Sequence, residues 1–285
     1  MITAATLATG FQFGEGPRWH EGRLWLSDFY EHAIKTVDLD GKVEVRFRVP
    51  NQPSGLGWLP DGRLLTVSMT DRKVLRQEGD ALVEHADLSG VATFHCNDMV
   101  VDAQGRAYVG NFGFDLHQAT PEQIAASPKA TLARVDPDGS VHVAARDLEF
   151  PNGAVITPDG KTFIIGETMG RRLTAFDIAG DGSLSNRRVW ADLGSRLPDG
   201  ICLDAEGAIW IANPRAPEAV RIAEGGAVLE IVETSLPCFA VMLGGADGRT
   251  LFCVTAASSG VPAAGAEPTG KVEIARVAVG HAGLP

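Results

Sequence analysis

One type of segment recurs six times along this chain, and that repetition limits the possible folds more than any other feature. Each copy is a short, apolar, alternating run, then a tight turn ending in glycine, then a second β-rich run. The copies occupy 14–28, 53–68, 96–111, 151–167, 198–213 and 238–255, with turn glycines at Gly22, Gly62, Gly105, Gly160, Gly207 and Gly248. Successive glycines are 40, 43, 55, 47 and 41 residues apart. Glycine after Asp, Glu or Gln supplies the positive φ that a tight hairpin needs. Five copies are followed by a second hairpin, at 34–45, 73–84, 132–143, 173–189 and 220–231, whereas the sixth keeps a single strand at 272–280. Two hairpins per module make a four-stranded antiparallel sheet. Six modules predict an all-β, six-bladed β-propeller spanning 1–285 as a single domain. Residues 3–10 are expected to supply the missing strand of the last blade, which removes two exposed edges. The longest module contains a helix signal at 120–127, with Thr120 as cap, Pro121 in the first turn and Gln123 completing a capping box. A pair of β-sandwiches offers similar turn spacing but does not readily give six copies in phase.

Aligning the modules on their turn glycines turns the repeat into a functional argument. Seven to nine residues before each glycine stand Glu15, Ser54, Asn97, Asn152, Asp199 and Phe239. These positions begin the first strand of each module, which in a propeller lines the central channel. Asn or Asp before Gly is a common turn signal, so one such motif carries little. Four oxygen-bearing side chains in register, Glu15, Asn97, Asn152 and Asp199, converge on the channel axis. Convergent carboxylates in a narrow channel raise one another's pKa and lose hydration, a cost that a divalent cation offsets. Oxygen donors without His or Cys favour Ca²⁺, Mg²⁺ or Mn²⁺ ahead of Zn²⁺.

Chain direction identifies which other segments share that end of the channel. The first strand leaves it, the second returns, and loops after the second strand border it. Asn111, Phe112, Asp115, Glu167 and Asn213 become candidate substrate contacts, and 111–130 and 255–270 candidate lids. His95, two residues before Asn97, is placed to hydrogen-bond a substrate or carry a proton. Cys96 alternates to the opposite side and reads as packing. Neither G-x-S-x-G nor H-E-x-x-H occurs, so serine-hydrolase and zincin chemistry lack a motif.

Composition narrows the rest. With 25 Lys and Arg against 36 Asp and Glu, the net charge is −11, which argues against nucleic acid or anionic lipid as partners. Hydrophobic residues at 45% and charged residues at 21% exclude a disordered chain. Four cysteines without C-x-x-C spacing point to a reduced compartment. The start, MITAATLATGFQFGEGP, has no basic region followed by a long apolar one. No apolar run reaches the length of about 18 residues that a membrane span requires. The expectation is a cytoplasmic protein, a monomer or weak homo-oligomer, acting on a small molecule.

At E-G-P (Glu15), N-D (Asn97, Asp98), P-N-G (Asn152) and P-D-G (Asp199), the chain resembles the regucalcin-like gluconolactonase family, which includes senescence marker protein, gluconolactonase and luciferin-regenerating enzyme. The resemblance spans nearly the whole chain. It implies a six-bladed propeller with one divalent cation, usually Ca²⁺ or Zn²⁺, on the channel axis. Glu15, Asn152 and Asp199 would be direct ligands, Asn97 a ligand or substrate contact, and Asp199 also the general base. Family members carry arginine where His95 stands and glutamate where Asp115 stands. With Phe112, Phe114 and Met169 nearby, those departures suggest a more apolar pocket. The expected activity is metal-dependent hydrolysis of lactones or related esters, of a small and partly apolar substrate rather than gluconolactone. Two other readings use the same residues: phosphotriester hydrolysis, as in the similar diisopropylfluorophosphatase and paraoxonase propellers, and a non-enzymatic ligand-binding propeller.

Overall fold

The computed structural model describes residues 2–115, 118–126 and 129–285. It is a six-bladed propeller of four-stranded antiparallel sheets. The innermost strands are Gly14–His20, Pro53–Trp58, Cys96–Val101, Pro151–Ile156, Ile201–Leu203 and Cys238–Gly244. Each packs against the next around the ring, and the sixth packs against the first. The turn glycines between first and second strands all have positive φ, from 68° at Gly160 to 86° at Gly62. Apolar side chains of adjacent blades meet face to face. Leu65, Val67 and Val74 of the second blade, for example, pack with Met99, Val101 and Val109 of the third.

The last blade closes as its truncated repeat requires. Ala5–Phe11 pairs antiparallel with Gly270–Arg276, adding the fourth strand. The chain's first strand adds something the repeat did not announce. Ile2–Thr3 pairs parallel with Val228–Glu233 and becomes a fifth strand on the fifth blade. The helix forms at Pro121–Ala125, and its Thr120–Gln123 capping box is complete. No helix among the described residues is long and apolar enough to cross a membrane.

The inner strands are irregular where they begin. Pairing with the second strand shifts register between Glu15 and Arg18, Pro53 and Leu56, Cys96 and Met99, and Pro151 and Ala154. A bulge of this kind bends the strand and re-aims a side chain. The glycine after the aligned position has a different task. A Cβ on Gly55 would lie 2.3 Å from the Met99 nitrogen, and one on Gly153 would lie 2.5 Å from the Ile201 nitrogen. The glycine of P-S-G and P-N-G therefore lets neighbouring inner strands approach, while the residue before it points into the channel.

Candidate active site

Glu15, Asn97, Asn152 and Asp199 line one cavity of about 810 Å³ at the end of the channel where the inner strands begin. All four are buried. A chain of side-chain hydrogen bonds runs through the amides. Ser54 Oγ donates to Asn97 Oδ1 at 3.2 Å, and Asn97 Nδ2 donates to Asn152 Oδ1 at 3.2 Å. Asn152 Nδ2 donates to Thr168 Oγ1 at 3.1 Å, and that hydroxyl donates to the Pro198 carbonyl at 2.7 Å, next to Asp199. Blades two to five are thereby tied together at the cavity floor.

The two carboxylates are held more weakly: Glu15 Oε2 accepts from the Gly16 N–H at 2.9 Å, and Asp199 takes a side-chain hydrogen bond from Asn152. Burial pushes Glu15 well above its ordinary pKa, and Asp199 and then Asp98 push it further, against the Gly16 N–H and Arg18. Asp199 is also raised, first by burial and then by Asp98, with only the Asn152 amide opposing. Asp98 is buried beneath them, and its Oδ1 has no hydrogen-bond partner. The cation at this depth is Arg18, whose guanidinium donates to the carbonyls of Leu56, Pro17 and Met99 rather than to a carboxylate. Asp98 belonged to a recognised dipeptide in the sequence, but Arg18 and Thr168 carried no signal of their own. Their role comes from strands far apart in the chain.

Among the described residues, no three His, Cys, Asp or Glu side chains stand where they could hold one ion. The quartet can serve a cation only by combining two carboxylates with two amide oxygens. That donor set nevertheless fits a hard divalent ion. Each amide oxygen keeps a second lone pair beside its hydrogen bond, and burial and neighbouring acids make the two carboxylates costly to ionise, a cost that a divalent ion would offset.

Of the expected substrate contacts, His95, Asn97, Phe112 and Asp115 line the cavity. His95 stacks on Phe94 with ring centroids 4.1 Å apart. Asp115 Oδ1 accepts from the Gln118 N–H at 3.1 Å. Asn111 does not reach the cavity. Its Nδ2 donates to the Thr131 carbonyl at 2.7 Å, and its Oδ1 accepts from Gly113 N and Thr93 Oγ. Glu167 and Asn213 are turned away in the same manner. Glu167 is fully buried and holds Arg172, Arg187, Thr174 and the Glu149 N–H, while Asn213 holds Glu218 and the Arg215 N–H.

The walls are more aromatic than the sequence suggested. Phe13, Phe29, Phe150 and Phe239 join Phe112 and Met169 around the cavity, and Phe114 packs behind against Phe150. These residues come from four blades, so their convergence is not visible along the chain. Parts of both candidate lids overhang the opening, through Gln118 and Ile124 on one side and residues 257–261 on the other. The Tyr30 hydroxyl ties the second of these to the first blade by donating to the Ser259 carbonyl at 2.6 Å. A second cavity, of about 320 Å³, lies at the opposite end of the inner strands and contains none of the quartet.

Residues 13–257 match the family described as the SMP-30/Gluconolactonase/LRE-like region. The chain belongs to that family. Within it, the chain is 27% identical over 280 residues to pentonolactonase XacC of Haloferax volcanii, an alignment covering 93% of this chain and 89% of the relative. It is 30% identical over 271 residues to regucalcin of Gallus gallus, covering 88% and 85%. Among solved structures, the calcium-binding protein regucalcin of Agrobacterium tumefaciens superposes with a TM-score of 0.79 at 20% identity, covering 99% of this chain and 95% of that one. In this SMP-30/gluconolactonase-like chain the recognised motifs are the starts of the inner strands, the part of the blade that faces the channel.

Proposed function

We propose that this protein is a divalent-metal-dependent hydrolase that opens lactones. The observation that carries the reading is the pair of buried carboxylates, Glu15 and Asp199, both raised by burial and by neighbouring acids and set beside two amides at the floor of a large cavity. Relatives named for lactone hydrolysis support the substrate class. Glu15, Asn152 and Asp199 would hold the ion, with Asn97 as a fourth ligand or a substrate contact. Ca²⁺ is the first candidate, with Zn²⁺, Mn²⁺ and Mg²⁺ as alternatives. When bound, such an ion polarises the lactone carbonyl and offsets the charge that develops on its oxygen.

The chain's own residues do the remaining work. Asp199, buried at the cavity floor, takes the proton from the water that attacks the carbonyl and returns it to the ring oxygen as the C–O bond breaks. The hydrogen-bonded run Ser54–Asn97–Asn152–Thr168 fixes the amides so that they need not reorganise during reaction. His95 would donate to a lactone oxygen, and Asp115 would accept from a hydroxyl carried by the substrate. The phenylalanine walls exclude water and favour a substrate with an apolar part.

The test is a panel of alkyl γ- and δ-lactones, sugar lactones, aryl esters and paraoxon, assayed with chelator and after adding back each ion. Alkyl lactones should be turned over best. Activity should vanish with chelator and return with one of the ions. Failure to hydrolyse any lactone with any ion would sink the proposal. Gluconolactone turned over tenfold faster than every alkyl lactone would overturn the apolar preference alone.

A further inference from the structure

The cavity wall carries a single arginine or lysine among the described residues, Arg215, and the quartet makes no use of it. Arg215 lies in the loop after the second strand of the fifth blade, within the run Pro214-Arg215-Ala216-Pro217. The backbone there is held in place. Asn213 Oδ1 accepts from the Arg215 N–H at 3.1 Å, and the Asn213 carbonyl accepts from Ala216 N at 3.2 Å. The acid nearest along the loop, Glu218, is already engaged, taking Asn213 Nδ2 at 2.8 Å and Arg196 Nε at 3.0 Å. No described carboxylate forms an ion pair with the Arg215 guanidinium, which is exposed at the mouth while the quartet is buried at the floor. Between mouth and floor stand the phenylalanines. The cavity thus presents three chemistries in order: buried acids, an apolar wall, and a cation.

We propose that Arg215 is a specificity-determining residue that selects lactones whose substituent ends in an acid group, a refinement that rests on the lactone reading above. A lactone ring at the floor would leave its substituent running along the aromatic wall toward Arg215. A guanidinium binds a carboxylate, sulfonate or phosphate through paired N–H donors, which favours an acid terminus over a neutral one of the same size. The acids of the floor do not forbid this, because the cation they would hold offsets their charge.

The experiment compares matched δ-lactones whose side chains end in carboxylate or in the neutral carboxamide, with sulfonate and phosphate termini as further arms. Wild type, Arg215→Gln and Arg215→Lys are assayed for the ratio of kcat/KM between charged and neutral partners. Wild type should favour the acid by about tenfold. Arg215→Gln should bring the ratio close to one, Arg215→Lys should retain part of it, and high salt should weaken it. The preferred arm among the three acids identifies the group that is read. A wild type that treats each pair alike, or an Arg215→Gln variant that keeps the full preference, overturns the proposal. Calorimetry with unreactive tetrahydropyrans bearing the same side chains separates this outcome from failure of the lactone reading. Tighter binding of the acid ether by wild type than by Arg215→Gln would uphold the anion site even if no lactone were hydrolysed. Equal binding would remove it.

Discussion

Two rings of polar side chains sit at the same end of this propeller, and they have opposite fates. One ring begins the inner strands: Glu15, Ser54, Asn97, Asn152, Asp199, with Phe239 in the sixth place. The other ends the second strands: Asp28, Ser68, Asn111, Glu167, Asn213 and Thr255. Members of the second ring find partners within or beside their own blade. Asp28 accepts from Gln12 N and Phe13 N and pairs with Lys35 at 2.8 Å, Ser68 donates to Asp71, and Thr255 donates to Glu273. Their hydrogen bonds hold the loops that surround the cavity. The acids of the first ring share the cavity floor, and the hydrogen bonds they accept, from the Gly16 N–H to Glu15 and from Asn152 to Asp199, do not outweigh their burial. The carboxylates record the difference. Burial would raise Glu167, but hydrogen bonds from Arg172, Thr174 and the Glu149 N–H outweigh it and hold the group below its ordinary value. Burial raises Glu15 and Asp199 with nothing sufficient against it. A satisfied polar group is structural, and an unsatisfied one at a cavity floor is available for chemistry.

The largest effect that would test this contrast is on turnover. Asp199→Asn should lower kcat for lactones by about 10³-fold, in line with the loss of a general base. Its circular dichroism should match that of wild type. Retained activity would remove Asp199 from the mechanism and with it the functional half of the comparison.

In the second ring the same kind of change should fall on stability. Glu167→Gln leaves Arg172 and Arg187 without their carboxylate and should cost about 2 kcal/mol in denaturant unfolding. That is less than for a fully buried pair, because both arginines reach solvent. The activity of the folded fraction should be unchanged. A variant as stable as wild type but inactive would invert the assignment.

The pH dependence of the two rings should differ in sign. Glu167 has a lowered folded pKa, so its contribution is present above the unfolded carboxylate pKa and disappears as pH falls through the folded value. The gap between wild type and Glu167→Gln should therefore close in acid. Glu15 has a raised folded pKa, so in metal-free protein its contribution is present below the unfolded value and is lost as pH rises through the folded one. Metal-free Glu15→Gln should thus melt above wild type at alkaline pH and converge with it in acid. Equal melting temperatures at every pH would show that the first ring carries no uncompensated charge. The smallest effect is expected at Ser54. Ser54→Ala removes one donor to Asn97 and should cost about 1 kcal/mol of stability, with less than a tenfold change in kcat/KM.

The fold and the first ring were readable along the chain because both are local and periodic. A tight turn needs glycine at one position, some inner strands need a glycine where the neighbour's backbone approaches, and the channel-facing residue is found by counting back from the turn. The closing strand Ala5–Phe11 was readable because its absence left the last repeat short. Along the chain Asn111, Glu167 and Asn213 look like substrate contacts, and the structure engages them elsewhere, because polarity at a loop edge looks the same whether the partner is a ligand or a neighbouring protein group. In the same short loop Arg215 reaches the cavity and its neighbour Asn213 does not, a difference that the sequence pattern does not carry. The fifth strand Ile2–Thr3, the carbonyl cage of Arg18 and the aromatic wall all depend on contacts between residues far apart in sequence. By itself the sequence determined which side chains enter the channel, because strand alternation and turn geometry act over a few residues. Only the tertiary structure decided which polar groups remain unsatisfied there, because hydrogen-bond satisfaction depends on what the other blades bring within about 3 Å.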